Sequence, residues 1–393
     1  MPATIASDRL AQLPPYLFQE IDRKKRAALA AGKDLINLGV GDPDRPTHAF
    51  IIEAMAQAMQ NPANHRYPFD EGVPAFKTTV AAFLRKRYGL SLDPADSILT
   101  TIGSKEGIAH LPLAVTNPGD VVIVPQPGYP VYYSSAVFAG CQPYIVPLLE
   151  ENAFLPDLDS IPVEVLQRTR LFWVNYPNNP TAALAPRSFY EKLAALAEEH
   201  DFLIASDNAY AEVSYEQRAL SILEIPQAAA RAIEFHSLSK TFNMTGWRLG
   251  FAAGGKDIIA ALAKVKSNAD SGQFNAIQWA GKTAYEQIDG PEVTEQLRVY
   301  RERRDALTNA LRQAGWHVCT CQGAFYVWAA TPMVQHTRLP SMDVASRILD
   351  EAAVVTIPGL GFGKAGEGYI RLALTVETPR LLEAAERISR LSW

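Results

Sequence analysis

With 393 residues, 48% of them hydrophobic and 20% charged, the chain suits one large and one smaller domain and is too apolar for extensive disorder. A formal net charge of −5 and a pI near 5.9 give no electrostatic reason to expect nucleic acid or an anionic membrane as partner. Three cysteines, Cys141, Cys319 and Cys321, with no C-x-x-C spacing, argue against a disulfide framework or a zinc site and for a reducing compartment.

The first twelve residues lack a basic region followed by an apolar core, and no apolar stretch approaches the ~20 residues that span a bilayer. A soluble, cytoplasmic protein is expected. A helical pattern begins near Tyr16 and carries the basic run Arg23-Lys24-Lys25-Arg26, which reads as a solvated helix face. From about residue 50 to 280, short apolar runs alternate with amphipathic segments. Residues 121–124, 171–174 and 202–205 read as buried strands, each ending at polar or turn-forming residues. Residues 106–115, 131–138, 188–199 and 258–266 read as helices. Such alternation predicts a mostly parallel sheet with helices on both faces, and ligands bind such sheets beyond the carboxyl ends of their strands. After Asp289-Gly290-Pro291 the pattern changes. A long charged helix runs to about residue 314, followed by a strand at 324–330, a helix at 341–351, strands at 354–357 and 369–374, and a last helix from Pro379. This reads as a second α/β domain, joined by the N-terminal segment up to about Leu38.

The polar residues after each strand are therefore the ones to inspect. Strand 202–205 runs into Ser206-Asp207-Asn208-Ala209-Tyr210, and strand 171–174 into Asn175-Tyr176-Pro177-Asn178-Asn179-Pro180-Thr181. The prolines stop the latter strand and fix a turn. Thr101-Ile102-Gly103-Ser104-Lys105-Glu106-Gly107 opens a helix whose free N–H groups and dipole make an anion site, with the Ser104 hydroxyl at hand. Tyr129, in Pro127-Gly128-Tyr129-Pro130, could stack on a flat heteroaromatic ring. Most telling is Ser237-Leu238-Ser239-Lys240-Thr241, followed by Gly246-Trp247-Arg248. A lysine among hydroxyls with an arginine eight positions on suits a cofactor that carries an aldehyde and a phosphate: Lys240 for a Schiff base, and Ser237, Ser239 and Arg248 for the phosphate. Asp207 could pair with a protonated pyridine nitrogen, and Asn179 and Tyr210 could bind the ring's phenolic oxygen. Each feature alone has an ordinary reading: a solvated lysine, a helix-capping aspartate, a turn asparagine.

Their order along the chain is what carries weight. In it the chain resembles the fold-type I, class I pyridoxal-phosphate aminotransferases, from Asn37-Leu38-Gly39-Val40-Gly41-Asp42-Pro43 to Arg371. The resemblance implies a large domain (46–285) with a mostly parallel seven-stranded sheet in a three-layer αβα sandwich. It further implies a smaller α/β domain (286–393) joined by residues 1–45, and a homodimer with shared active sites. By the same resemblance, the cofactor is pyridoxal 5′-phosphate, Lys240 its Schiff-base lysine, Asp207 the pyridinium partner and Tyr129 the stacking ring. Asn179 and Tyr210 take the ring oxygen, and Ser104, Lys105, Ser237, Ser239 and Arg248 surround the phosphate, with Tyr67 reaching it from the other subunit. Arg371 would clamp the substrate α-carboxylate bidentately. One position departs from the family pattern, Asn179-Pro180-Thr181-Ala182, where glycine is usual at the fourth place. Alanine does not freely adopt positive φ, so the turn after Thr181 is expected to differ slightly.

Longer runs, His65-Arg66-Tyr67-Pro68, Ile102 to Pro112 and Glu234-Phe235-His236-Ser237-Leu238-Ser239-Lys240-Thr241-Phe242-Asn243-Met244 among them, are similar to the LL-diaminopimelate aminotransferases. That branch implies LL-diaminopimelate and 2-oxoglutarate as substrates, with Tyr16, Gly41, Glu71, Lys105, Asn179, Asn275 and Arg371 reading them. Glu71 would meet the distal ammonium and Lys105 a carboxylate. Phe69 and Gln273 fall near this region without an assigned role. The nearest rivals are aminotransferases for N-succinyl-diaminopimelate, alanine or aspartate, and, further off, a carbon–sulfur lyase. A non-catalytic sensor on the same fold would be expected to carry a basic recognition helix, and none is evident here.

Overall fold

A computed structural model describes residues 5–13, 18–68 and 72–393; Tyr16, Phe69 and Glu71 lie outside the described residues. Seven strands form the central sheet: β1 (Ile98–Thr101), β2 (Val121–Gln126), β3 (Gln142–Pro147), β4 (Thr169–Asn175), β5 (Leu203–Asp207), β6 (Ala232–Ser237) and β7 (Gly250–Gly254), in the order β1-β7-β6-β5-β4-β2-β3. Strands β2 through β6 pair in parallel, and β7 runs antiparallel to both β1 and β6.

Alternation along β4 shows how the strands build two cores. Phe172 and Val174 pack on one side with Phe76 and Val80 of helix Pro74–Tyr88, Phe189 and Leu193 of helix Arg187–Glu199, and Tyr285 of helix Asn275–Glu286. Leu171 and Trp173 pack on the other with Ile108 of helix Ser104–Val115, Tyr132 of helix Val131–Phe138 and Leu262 of helix Lys256–Ala269. Both faces are thus covered, as a near-continuous apolar strand requires. Each large side chain fully buried here contributes about 1.5–3 kcal/mol. The sheet is the expected three-layer sandwich, with four strands that the hydrophobic runs did not mark. β3 contains Pro143 and Pro147 and lies at the edge, where proline is tolerated. β1 and β7 are short or built of small residues, and β6 carries Glu234 and His236.

The C-terminal part follows the expected sequence of elements: helix Pro291–Gln313, strand β8 (Tyr326–Ala330), helix Ser341–Ala352, the short β9 (Ile357–Pro358), β10 (Tyr369–Ala373) and helix Thr378–Ser389. β10 lies between β9 and β8, antiparallel to both. The N-terminal segment joins this part, since Ile36–Asn37 pairs in parallel with Val354–Val355. Its basic run is largely solvated, with Arg23 and Arg26 exposed and Lys24 paired to Asp350 at 2.8 Å. All three cysteines are free and buried. Among the described residues, no helix is long and apolar enough to cross a membrane.

Candidate active site

Sheet register brings the polar residues together. Asn175 and Asp207, the last residues of β4 and β5, are paired neighbours, and Ser237 and Thr101, the last of β6 and β1, both pair with Gly250 at the start of β7. The residues flanking these positions, Ser104, Lys240 and Arg248, therefore share one end of the sheet. Asp207 is 5% exposed. Its Oδ2 accepts from the Tyr132 hydroxyl at 2.7 Å and its Oδ1 from the Ala209 N–H at 3.2 Å. Burial raises its pKa, and these hydrogen bonds, His236 and Lys240 oppose the rise. A carboxylate so placed is suited to a cationic N–H. Tyr132 is itself fixed by stacking on Trp173, with ring centroids 5.0 Å apart, and its edge contact with the half-buried Tyr129 spans 5.8 Å.

Lys240 sits on the short helix Leu238–Thr241 directly after β6. Its Nζ donates to the Gly41 carbonyl at 2.9 Å and lies 5.6 Å from the centre of the Phe325 ring. Burial is the main cause that lowers its pKa to about 8; Arg371 and Arg248 add to the effect, and Asp42 and Asp207 oppose it. Such a lysine reaches its nucleophilic, proton-accepting form close to neutral pH.

A second anchor is the buried Arg371 on β10. It donates to Asn179 Oδ1 and to the Gly39 carbonyl, both at 2.8 Å, and its guanidinium lies 4.1 Å from the Tyr326 ring centre and 4.8 Å from that of Phe362. Its Nε is buried without a partner among the described residues. The 39–41 segment reaches both cations through its backbone, and the Val40 carbonyl accepts from Thr375 Oγ1 at 2.8 Å. Just beyond, Asp44 is held by a two-point contact with buried Arg303 at 2.7 and 2.8 Å. Gly41 has a steric reason: a Cβ there would come 1.9 Å from the Tyr326 hydroxyl. That hydroxyl bonds Tyr210 Oη at 2.8 Å.

The anion cradle is equally explicit. Gly103 holds φ +70°, and a Cβ on it would lie 2.5 Å from Arg248 Nη2, so the guanidinium rests on the turn that opens helix Ser104–Val115. Arg248 has φ 54°, and its Nη1 donates to the Thr245 carbonyl at 2.9 Å. Ser237 Oγ accepts from the Ser239 N–H at 3.3 Å, while Ser239 Oγ is buried with no partner among the described residues. Backbone donors, hydroxyls and a guanidinium around a helix N-terminus form a phosphate-binding arrangement.

The structure thus assembles Lys240, Asp207, Asn179, Tyr210, Arg371, Gly41, Ser104, Ser237, Ser239 and Arg248, with Tyr129 beside Tyr132. Lys105 is exposed at the start of its helix, Tyr67 is 70% exposed, and Asn275 is half-buried with its Oδ1 unpartnered among the described residues. The Thr181–Ala182 turn takes a conformation that alanine seldom adopts. Ala182 itself adopts φ 62°, held by its N–H to Asn178 O at 2.9 Å and by its carbonyl, which accepts from the Gln322 and Gly323 N–H groups. The surrounding hydrogen bonds impose the left-handed conformation on alanine at a cost of about 1–2 kcal/mol. Tyr132, Asn175 and Tyr326 were not singled out. Tyr132 lies in an apolar helix, where an aromatic reads as core, and Tyr326 meets Tyr210 and Gly41 only through the tertiary fold. Asn175 did carry a signal, as the first polar residue after β4's apolar run; its Nδ2 donates to Asp207 O at 2.7 Å and its Oδ1 accepts from the Asn179 N–H at 2.9 Å.

The chain is 52% identical over 392 residues to the LL-diaminopimelate aminotransferase of Syntrophobacter fumaroxidans, covering 100% of both chains. Among solved structures it is similar to substrate-bound BacF from Bacillus subtilis, with a TM-score of 0.94, 36% identity and coverage of 99% and 98% of the two chains. It is also similar to a probable N-succinyldiaminopimelate aminotransferase from Thermus thermophilus, with a TM-score of 0.89, 34% identity and coverage of 95% and 99%. Residues 33–388 match the family Aminotransferase class I and II, and the chain belongs to that family of enzymes.

Proposed function

We propose that this enzyme moves an amino group from LL-2,6-diaminopimelate to 2-oxoglutarate, with pyridoxal 5′-phosphate as cofactor, giving tetrahydrodipicolinate and glutamate for lysine and diaminopimelate biosynthesis. The observation that carries the reading is the convergence of Lys240, Asp207 and Arg371 in a chain 52% identical, end to end, to an LL-diaminopimelate aminotransferase. The cofactor's charges fit the residues present. Asp207 offers a buried carboxylate to a ring cation, the unpartnered Ser239 Oγ and the Arg248 guanidinium suit a phosphate, and Lys240 is the nearby amine.

When bound, pyridoxal phosphate supplies an electron sink for the pair left when the substrate Cα loses its proton. The chain's residues do the rest. Asp207 would hold the ring nitrogen protonated, with the Tyr132 hydroxyl favouring the ionised carboxylate, and Tyr129 would cover the ring face. Arg371 binds the α-carboxylate with two parallel N–H bonds and so orients the Cα–H toward Lys240. The Lys240 amine takes that proton and delivers it to the cofactor's C4′. The amino group would remain with the cofactor and the keto acid would leave, its distal amine closing the ring of tetrahydrodipicolinate, and Arg371 would offer the same clamp to 2-oxoglutarate in the return half of a ping-pong cycle.

LL-diaminopimelate carries an ammonium and a carboxylate at both ends, so selectivity requires a second charged pair. We assign this to Glu71 for the distal ammonium and Lys105 for the distal carboxylate, with Tyr16, Gly41 and Asn275 around them. The working unit is a cytoplasmic homodimer, with Tyr67 of the partner subunit reaching the phosphate. Within each chain, residues 46–285 form the cofactor-binding domain, 286–393 the smaller one, and 1–45 join the latter.

A second reading, N-succinyl-diaminopimelate, is favoured by the likeness to the Thermus thermophilus protein. An acylated distal nitrogen carries no charge, however, and would leave Glu71 without a partner. Purified enzyme should be offered LL-diaminopimelate, its N-succinyl form, alanine and aspartate with 2-oxoglutarate, and the glutamate formed measured. Fast alanine turnover with none from LL-diaminopimelate would overturn the substrate assignment. A Lys240→Ala variant that retained turnover would overturn the mechanism.

A further inference from the structure

Behind the anion cradle lies a buried polar cluster that the reaction itself does not use. Lys266, in helix Lys256–Ala269, is 1% exposed. Its Nζ donates to Glu106 Oε2 at 3.2 Å and to both carboxylate oxygens of Asp270 at 2.7 and 2.9 Å. Each acid leads to one half of the cradle. Glu106 Oε2 accepts from the Ile102 N–H at 3.0 Å, which closes the turn at Gly103 and Ser104, and Glu106 Oε1 meets His110 Nδ1 at 2.7 Å. Burial pulls the Glu106 carboxyl upward, but its bonds to His110, Lys266 and the Ile102 N–H hold it below its ordinary value.

Asp270 Oδ1 accepts from the Gly272 N–H at 2.7 Å, fixing the turn that presents Gln273. The Gln273 amide donates to the carbonyls of Trp247, at 3.1 Å, and Arg248, while its oxygen accepts from the Phe274 N–H at 2.9 Å. Arg248 is the residue whose φ of 54° is otherwise unfavourable. The amide therefore grips the backbone at the point where the chain must hold a strained conformation to lay the guanidinium on Gly103. Glu106, His110 and Asp270 have ligand atoms close enough to suggest a metal site, but the Lys266 ammonium already pairs with two of the three.

From this geometry we infer that Lys266 and Gln273 are positioning residues for the cofactor phosphate: one buried cation sets the Gly103–Ser104 turn through Glu106 and the Arg248 backbone through Asp270 and Gln273. Neither needs to touch the phosphate. The inference rests on the assignment of this cradle to pyridoxal phosphate and predicts an effect confined to ligands that carry the phosphate, because the ring contacts at Asp207 and Lys240 belong to other strand ends.

The test compares cofactor-free full-length enzyme binding pyridoxal phosphate with the same enzyme binding pyridoxal, which lacks the phosphate, both followed by visible absorbance. Gln273→Met keeps the side-chain length and removes the donor. It should weaken pyridoxal phosphate about tenfold, the worth of one hydrogen bond in affinity, and change pyridoxal less than about twofold. Lys266→Met should do the same or more; if it does not fold, Gln273→Met decides alone. Equal weakening of both ligands would reduce the cluster to a structural role and overturn the inference, as would unchanged binding of pyridoxal phosphate. If the unaltered enzyme held neither ligand, the cofactor reading would fail, and inorganic phosphate followed by thermal shift would decide the inference: Gln273→Met must weaken it about tenfold, and unchanged phosphate binding would overturn it.

Discussion

Replacing Tyr132 with phenylalanine isolates one hydroxyl at the centre of the site. The ring keeps its stacking on Trp173 at 5.0 Å and its edge contact with Tyr129, so the change is close to pure loss of the 2.7 Å bond to Asp207 Oδ2. Among the described residues, Asp207 retains the 3.2 Å bond from the Ala209 N–H on its other oxygen. A hydrogen bond to a charged group is worth about 1.5–3 kcal/mol, which corresponds to roughly one to two pKa units. The sign follows from linkage. Burial raises the Asp207 pKa above its ordinary value of 3.8, so over that interval the folded chain holds a proton that the unfolded chain has released, and stability falls as pH rises from 3.8 through the raised value. Losing the hydroxyl extends that fall upward. Tyr132→Phe should therefore cost about 1.5–3 kcal/mol at pH 8 and much less at the acid end of the stable range, where Asp207 is protonated with or without the hydroxyl. Denaturant unfolding of the cofactor-free chain at both pH values measures this, and the pyridoxal phosphate Kd should rise about ten- to a hundredfold. Equal losses at both pH values would assign the effect to packing. No loss at pH 8, with unchanged affinity, would refute the reasoning.

Lys240, held near pKa 8 by burial, should capture the cofactor aldehyde at a rate that climbs with pH and levels off above about 8; a midpoint near 10.5 would contradict it. Because that pKa is depressed, the burial penalty is full below pH 8 and lifts as pH rises toward 10.5, so Lys240→Met should abolish turnover while stabilising the cofactor-free chain below pH 8 by up to about 3 kcal/mol in urea unfolding. Gly41→Ala would drive a methyl group into the Tyr326 hydroxyl; we expect about 1–3 kcal/mol of destabilisation by thermal unfolding and at least a tenfold lower kcat/KM, and wild-type values of both would show that Tyr326 moves freely. Arg371→Lys forfeits the forked grip, so kcat/KM should fall by roughly 10²–10³ for the amino donor and for 2-oxoglutarate alike, since both present the same α-carboxylate; a loss confined to one substrate would refute the shared clamp.

How far the sequence revealed the site depended on how local each signal was. Asp207 was legible as a charged residue just after an apolar run, and Lys240 as a lysine among hydroxyls with Arg248 eight positions on. Gly41 was legible only through the family resemblance; its steric reason is a contact with Tyr326, nearly three hundred positions away. Lys266 shows the opposite failure. At the end of a predicted helix a lysine reads as solvated, and only the fold brings Glu106 from a distant strand end to bury it. β3 was hidden by prolines that an edge strand accommodates, and Ala182 by a local rule that its neighbours' hydrogen bonds override.

Charge placement connects these pieces. Burial drives Asp207 toward its protonated form and Lys240 toward its free base, while Arg371 and Arg248 both push Lys240 further in that direction. Lys240 is thus held partway to the free base in which it acts, whereas Asp207 is held away from its ionised form; in the proposed reaction a ligand supplies what the protein lacks at each point: a ring cation for Asp207, a phosphate for Arg248 and a carboxylate for Arg371. Opposite charges added inside a low-dielectric site interact more strongly than in water, so the contacts that hold the ligand also stabilise the fold. A ligand that binds only the folded chain adds about 4 kcal/mol at a thousandfold excess over its Kd, which acts against the cost of burying Asp207 and Lys240. In the proposed reaction the same contacts would set the substrate Cα–H within reach of a lysine already lowered to about pKa 8, so binding and proton transfer would draw on one arrangement of charge.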